Sequence, residues 1–121
     1  MTTLGLWDVG AVSQSNDQRA GGAPFSAALE TARIINPSSQ HVAIHRAAGI
    51  TRAATSTLPS ASIFSGQGAI IDLDGDASPV MQANAFQMVA MGEQGAGLAG
   101  GSRAASHALL RAALREASMV R

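Results

Sequence analysis

The sequence predicts an α/β fold, and two stretches carry that prediction. From Ser39 to Gly49, apolar Val42, Ala43, Ala47 and Ala48 recur at spacings that place them on one face of a helix. Gly49 stands where a helix C-terminus commonly takes a positive φ. Ile50 to Ser56 then reads as a strand, followed by a polar loop running to Phe64-Ser65-Gly66-Gln67-Gly68 and a second apolar strand, Ala69 to Leu73. Helix, glycine, strand and long loop in that order form the half-unit of an α/β protein, and loops leaving strand ends are where such folds build their sites.

The remaining elements follow in order. Thr2 to Val12 carries Leu4, Leu6, Trp7, Val9 and Val12, predicting a strand or extended segment with bends at Gly5 and Gly10. Ser13 to Ala23 is polar and aperiodic, hence a loop. Pro24 suits a first helical turn, and Phe25, Ala28, Leu29, Ala32 and Ile35 recur at spacings of three and four, predicting a helix from Pro24 to Ile35. Asn36-Pro37 ends it, because the residue before proline is pushed out of the α region. Ser38 or Ser39 is then placed to N-cap the next helix. Beyond the second strand, Asp72 to Asp76 is a turn, and Ser78-Pro79 opens a predicted helix through Val80, Ala83, Met88 and Val89 to Met91. Gly92 to Gly101 holds five glycines and reads as a connector without regular structure. Ser102 caps a last helix with an apolar stripe of Ala105, Leu109, Ala113 and Leu114, and its Arg111, Arg115 and Arg121 suit the negative end of the helix dipole. No internal repeat is visible.

Composition narrows the function classes. A chain of 121 residues accommodates one domain, and residues 1–121 read as a single partial domain. Eight acidic and eight basic residues cancel, so nothing marks a nucleic-acid or membrane-surface partner. Aromatic residues make up 3%, and much of the 46% hydrophobic content is alanine, so the core is expected to be thin. The absence of cysteine removes disulfides, thiolate metal sites and thiol nucleophiles together. No apolar run approaches a membrane span and no signal peptide opens the chain, so a soluble protein is expected, with no compartment indicated.

Several motifs hint at chemistry and fall short of it. His41 and His45 lie four apart on a predicted helix and so project from one face, where two imidazoles could share a metal ion. The zinc-protease pattern needs Glu at position 42, which is Val42, and no third ligand lies nearby; the plainer reading is two solvent-side histidines. Asp72-Leu73-Asp74-Gly75-Asp76 begins like a calcium loop, but the closing Glu is replaced by Gln82. Gly66-Gln67-Gly68 could form an anion nest. The glycines before Ser102 lack the Gly-Lys-Ser/Thr of a phosphate loop, and Ile63-Phe64-Ser65-Gly66-Gln67 lacks the leading glycine of a nucleophile elbow. No catalytic residue and no metal ligand is assigned on these patterns.

Taken together, Gly5-Leu6 with Val9-Gly10, the Ile35-Asn36-Pro37 break, Ala48-Gly49-Ile50-Thr51 and Ser65-Gly66-Gln67 before an apolar strand resemble the N-terminal part of an imidazolonepropionase-like amidohydrolase. The resemblance implies part of a (β/α)8 barrel, with few strands and three to four helices, in which Ile50 to Thr55 is the second barrel strand. It places Thr57 to Gly68 on the active-site face, with Ser65, Gly66 and Gln67 as a substrate-face loop. It implies, for full-length relatives, hydrolysis of C–N bonds in non-peptide or dipeptide amides with a divalent metal such as zinc. The family's His-x-His metal pair would fall at Met1 and Thr3, neither of which replaces an imidazole. The expectation is therefore a fragment of an amidohydrolase-like protein without activity by itself, holding no cofactor, whose partner is a second copy or the remainder of the barrel. The alternative is a small α/β interaction module that completes its core by oligomerising.

Overall fold

The computed structural model describes residues 1–22 and 25–120. It is a small α/β structure with a three-stranded antiparallel sheet and three helices: α1 (Gln40–Ala47), β1 (Arg52–Thr55), β2 (Phe64–Asp72), β3 (Val80–Val89), α2 (Glu93–Leu98) and α3 (Arg103–Met119). The sheet order is β1-β2-β3, with Arg52 opposite Asp72 and Thr55 opposite Ala69 on one side of β2. On the other side Phe64 faces Val89 and Ile71 faces Val80.

The parallel strands expected of a barrel are not formed among the described residues, and the reason lies in the connections. Residues 56–63 join β1 to β2 and residues 73–79 join β2 to β3. A parallel return needs a crossover of about a dozen residues or more, usually helical. Neither connection is long enough, so each strand turns back beside its predecessor.

Five expected elements change identity. The helix expected from Pro24 to Ile35 is two short 3-10 turns, Ser26–Ala28 and Thr31–Ile34; Ala23 and Pro24 lie outside the described residues. Between the turns the Leu29 carbonyl accepts from the Gln67 N–H at 2.7 Å, so it is spent on the sheet and a continuous helix cannot form. The Phe64–Gly68 loop is instead the first half of the central strand. The helix expected from Ser78-Pro79 to Met91 is instead β3; just before it Pro79 is buried, and its carbonyl accepts from the Asp72 N–H at 2.9 Å. Opposite Gly68 and Ile70, β3 carries Phe86 and Gln82, so it holds extra residues in a bulge centred on Asn84, whose φ is +50°. The Gly92–Gly101 connector contains α2, closed by a Gly101 N–H bond to the Ala96 carbonyl. The N-terminal segment is not a strand; it meets the sheet through one parallel bridge, Thr2 to Thr55, and bends at Gly5 with φ +82°.

Other expectations hold, except the cap of α1. Gly49 ends α1 with φ +96°, and β1 follows. Ser102 Oγ caps α3 by accepting the Ala105 N–H at 3.2 Å. Ser39 precedes α1 but does not cap it by side chain. Its hydroxyl donates to the Trp7 carbonyl at 2.8 Å, and the Asp8 carboxylate accepts the Gln40 N–H instead. The core is as thin as composition predicts: Leu4, Val42, Ala69, Ile71 and Leu73 cluster between α1 and one face of β2.

Candidate functional site

Ser65, Gly66 and Gln67 sit in the first half of β2, where both glycines of the Gly66-Gln67-Gly68 run admit a neighbour. A Cβ on Gly66 would lie 2.7 Å from the Leu29 carbonyl oxygen, and one on Gly68 would lie 2.2 Å from the Phe86 ring. Glycine in a strand interior commonly marks such close approach. The space an anion nest requires is thus filled by protein. Gln67 pairs with Glu30 in a parallel bridge, and the Gln87 side-chain amide donates to the Gly66 carbonyl. Ser65 is buried, and its Oγ has no hydrogen-bond partner among the described residues. Its carbonyl accepts from the Thr57 hydroxyl. Beside it lies a void of about 10 Å³ lined by Ser26, Leu29, Thr57 and Ser60, room for about one water molecule.

A larger cavity of about 210 Å³ adjoins this void, sharing Ala20, Leu29 and Thr57 with it and lined further by Asp17, Arg19 and Glu30. Sequence reasoning missed it, because Asp17 and Arg19 fall in a stretch with no periodicity. Folding brings them there through the Asp17 N–H bond to the Leu6 carbonyl and the bond from Arg19 Nη1 to the Pro59 carbonyl.

Asp72, Asp74 and Asp76 converge, with one carboxylate oxygen of each within 4.8 Å of the others. The convergence follows from three successive side-chain turns, in which each carboxylate accepts the backbone N–H two residues on. Desolvation and the neighbouring Asp74 hold Asp72 above the ordinary carboxylate range. The Asp76 N–H and the Asp72 carboxyl hold Asp74 below it. Every anion of this turn is thus engaged by its own loop.

The two helical histidines behave differently from solvent-side residues. His41 and His45 are both half-buried and line one cavity of about 260 Å³ with Thr2, Thr3 and Trp7. The His41 ring stacks on the Trp7 indole, centroids 3.9 Å apart and planes inclined by 30°. His41 Nε2 lies 2.9 Å from the Asp8 carbonyl and His45 Nδ1 lies 2.7 Å from the His41 carbonyl. A carbonyl only accepts, so those nitrogens carry the protons. In the neutral rings the lone pairs are on His41 Nδ1 and His45 Nε2, and neither atom has a hydrogen-bond partner among the described residues. Thr3, one of the two positions to which the resemblance assigns a metal histidine, lines this cavity, whereas Met1 is 63% exposed. These two residues do not fit the family's metal pair. His107 is exposed on α3.

No protein-family model matches the chain, and no curated protein matches it. The fold is similar to part of the crystal structure of an amidohydrolase from Thermotoga maritima MSB8, with a TM-score of 0.77 over 95% of this chain. The two sequences are 18% identical over the match, so the likeness is one of fold, and the chain spans 32% of that protein's length.

Proposed function

We propose that the chain is one part of an amidohydrolase-like protein and supplies scaffold and a wall of its site rather than the reacting centre. The observation that carries this reading is the fold likeness, which takes in nearly all of this chain and about a third of the amidohydrolase. At finer grain, the part is the N-terminal region of an imidazolonepropionase-like amidohydrolase. Ser65 is its contact with the site, and Gly66 and Gln67 hold the Leu29 segment behind it. The whole protein hydrolyses a C–N bond of a non-peptide or dipeptide amide, using a divalent metal such as zinc held elsewhere in its fold.

The test is direct. The purified chain, offered N-acyl amino acids, dipeptides and cyclic amides with and without zinc, shows no saturable hydrolysis. Turnover that zinc restores overturns the reading. The coding region on either side supplies a second check: a frame that continues into further strands and histidines supports a part of a larger protein.

One observation favours the second reading, an interaction module that oligomerises. Leu109 and Leu114 of α3 are 46% and 62% exposed, and Ser106 is the one residue of that helix that is buried. A monodisperse dimer with a cooperative melt supports this reading, and a monomer at all concentrations removes it.

A further inference from the structure

We infer that the cavity between the N-terminal segment and α1 is an exchangeable binding site for a borderline divalent transition ion, held by His41 Nδ1 and His45 Nε2. Three independent features lead there. The spacing of four on α1 puts both imidazoles on one helix face, and both line the same cavity. Each ring is fixed by a bond from its other nitrogen to a backbone carbonyl, Asp8 for His41 and His41 for His45. That is the arrangement by which outer partners set tautomer and ring orientation in metal-ligating histidines. The Trp7 indole stacks on the face of the His41 ring, and a lone pair on Nδ1 lies in the ring plane rather than on that face.

The surrounding charges are compatible with a cation. Asp8 places its carboxylate at the start of α1, accepting the Gln40 N–H at 3.0 Å, which offsets the positive end of the helix dipole. Arg46, next to His45 in sequence, directs its guanidinium away to the Leu73 carbonyl at 2.9 Å. Two neutral imidazoles and no thiolate select Cu(II), Ni(II) and Zn(II) over calcium or magnesium. Water completes the coordination, so the ion exchanges freely. This inference is independent of any hydrolysis, because its readout is optical.

Trp7 is the one tryptophan in the chain and it touches a proposed ligand, so its fluorescence reports binding. Titration with Ni(II) quenches Trp7 saturably at one ion per chain, and excess Zn(II) reverses the quenching. His45→Gln weakens the effect by at least about tenfold, the lower end of what losing even an outer partner of a metal site costs. His107→Gln leaves it unchanged. On the unsubstituted chain, which removes any question of misfolding, Ni(II) broadens the ring-proton NMR resonances of His41 and His45 before that of His107. Quenching that does not saturate, quenching that survives in folded His45→Gln, or preferential broadening of His107 each overturns the inference.

Discussion

Gly66 in the central strand and Leu29 in the preceding segment approach so closely that a methyl group on Gly66 would lie 2.7 Å from the Leu29 carbonyl oxygen and 2.8 Å from its Cβ. Gly66 also has φ +111°, a conformation that side chains rarely adopt. Gly66→Ala therefore combines backbone strain with overpacking, a loss of about 2–4 kcal/mol. Urea unfolding should show a lower midpoint with an unchanged slope. A midpoint within error of the parent would mean that the Leu29 segment yields at no cost, and would remove the account of why this strand holds glycine.

The thin core makes each large side chain in it matter. Ile71 is fully buried, with Leu4, Val42 and Leu73 around it, and Ile71→Ala should cost about 2–5 kcal/mol. Leu114→Ala, at a site 62% exposed, should change the stability of the isolated chain by no more than about 0.5 kcal/mol. If Leu114→Ala destabilises as much as Ile71→Ala and the loss depends on protein concentration, α3 is buried in an oligomer.

Asp72 and Asp74 should titrate in two separated steps that belong to the pair. One step is shifted up by desolvation of Asp72 and by its Asp74 neighbour. The other is shifted down by the Asp76 N–H, with Arg46 adding to the effect on Asp74. For stability the signs oppose. The Asp72 contribution is present below its unfolded-state pKa and is lost as pH rises through the raised value. The Asp74 contribution is present above its unfolded-state pKa and is lost as pH falls through the depressed one. Carboxyl-carbon NMR should resolve both steps, and Arg46→Gln should move the lower one upward; coincident titration would contradict the hydrogen-bonded turn.

Thr55 offers a polar test of how the N-terminal segment is held. Its buried hydroxyl donates to the Leu4 carbonyl at 2.9 Å, while the Thr2 N–H reaches the Ala54 carbonyl. Thr55→Val keeps the shape and removes the donor, which should cost about 1–3 kcal/mol through the buried carbonyl left unpaired. Amide exchange should speed first in the Thr2–Leu6 region. Unchanged exchange there would show that other contacts hold the segment.

Much of the local structure was legible because its cause is local. Gly49 ending α1, the strand after it and Ser102 capping α3 depend on residues within a turn of one another, and each is where the sequence places it. The likeness to an amidohydrolase fold was also legible, in the Ala48-Gly49-Ile50-Thr51 and Ser65-Gly66-Gln67 segments. The Gln40–Ala47 helix carried its two histidines visibly, but the carbonyls that fix their rings come partly from Asp8, distant in sequence.

The sequence by itself determined the elements whose hydrogen bonds and caps close within a few residues, together with a core limited by its alanine content. The tertiary structure alone decided that Val80–Val89 is a strand, that Ser26–Ile34 cannot be one helix, and that Ser65-Gly66-Gln67 belongs inside the sheet. In each case the deciding partner belongs to another element: β2 for β3, Gln67 for Leu29, and Leu29 and Phe86 for the two glycines. Local propensity differs by only about a kcal/mol per residue between helix and strand, and a ladder of backbone bonds to a central strand outweighs it.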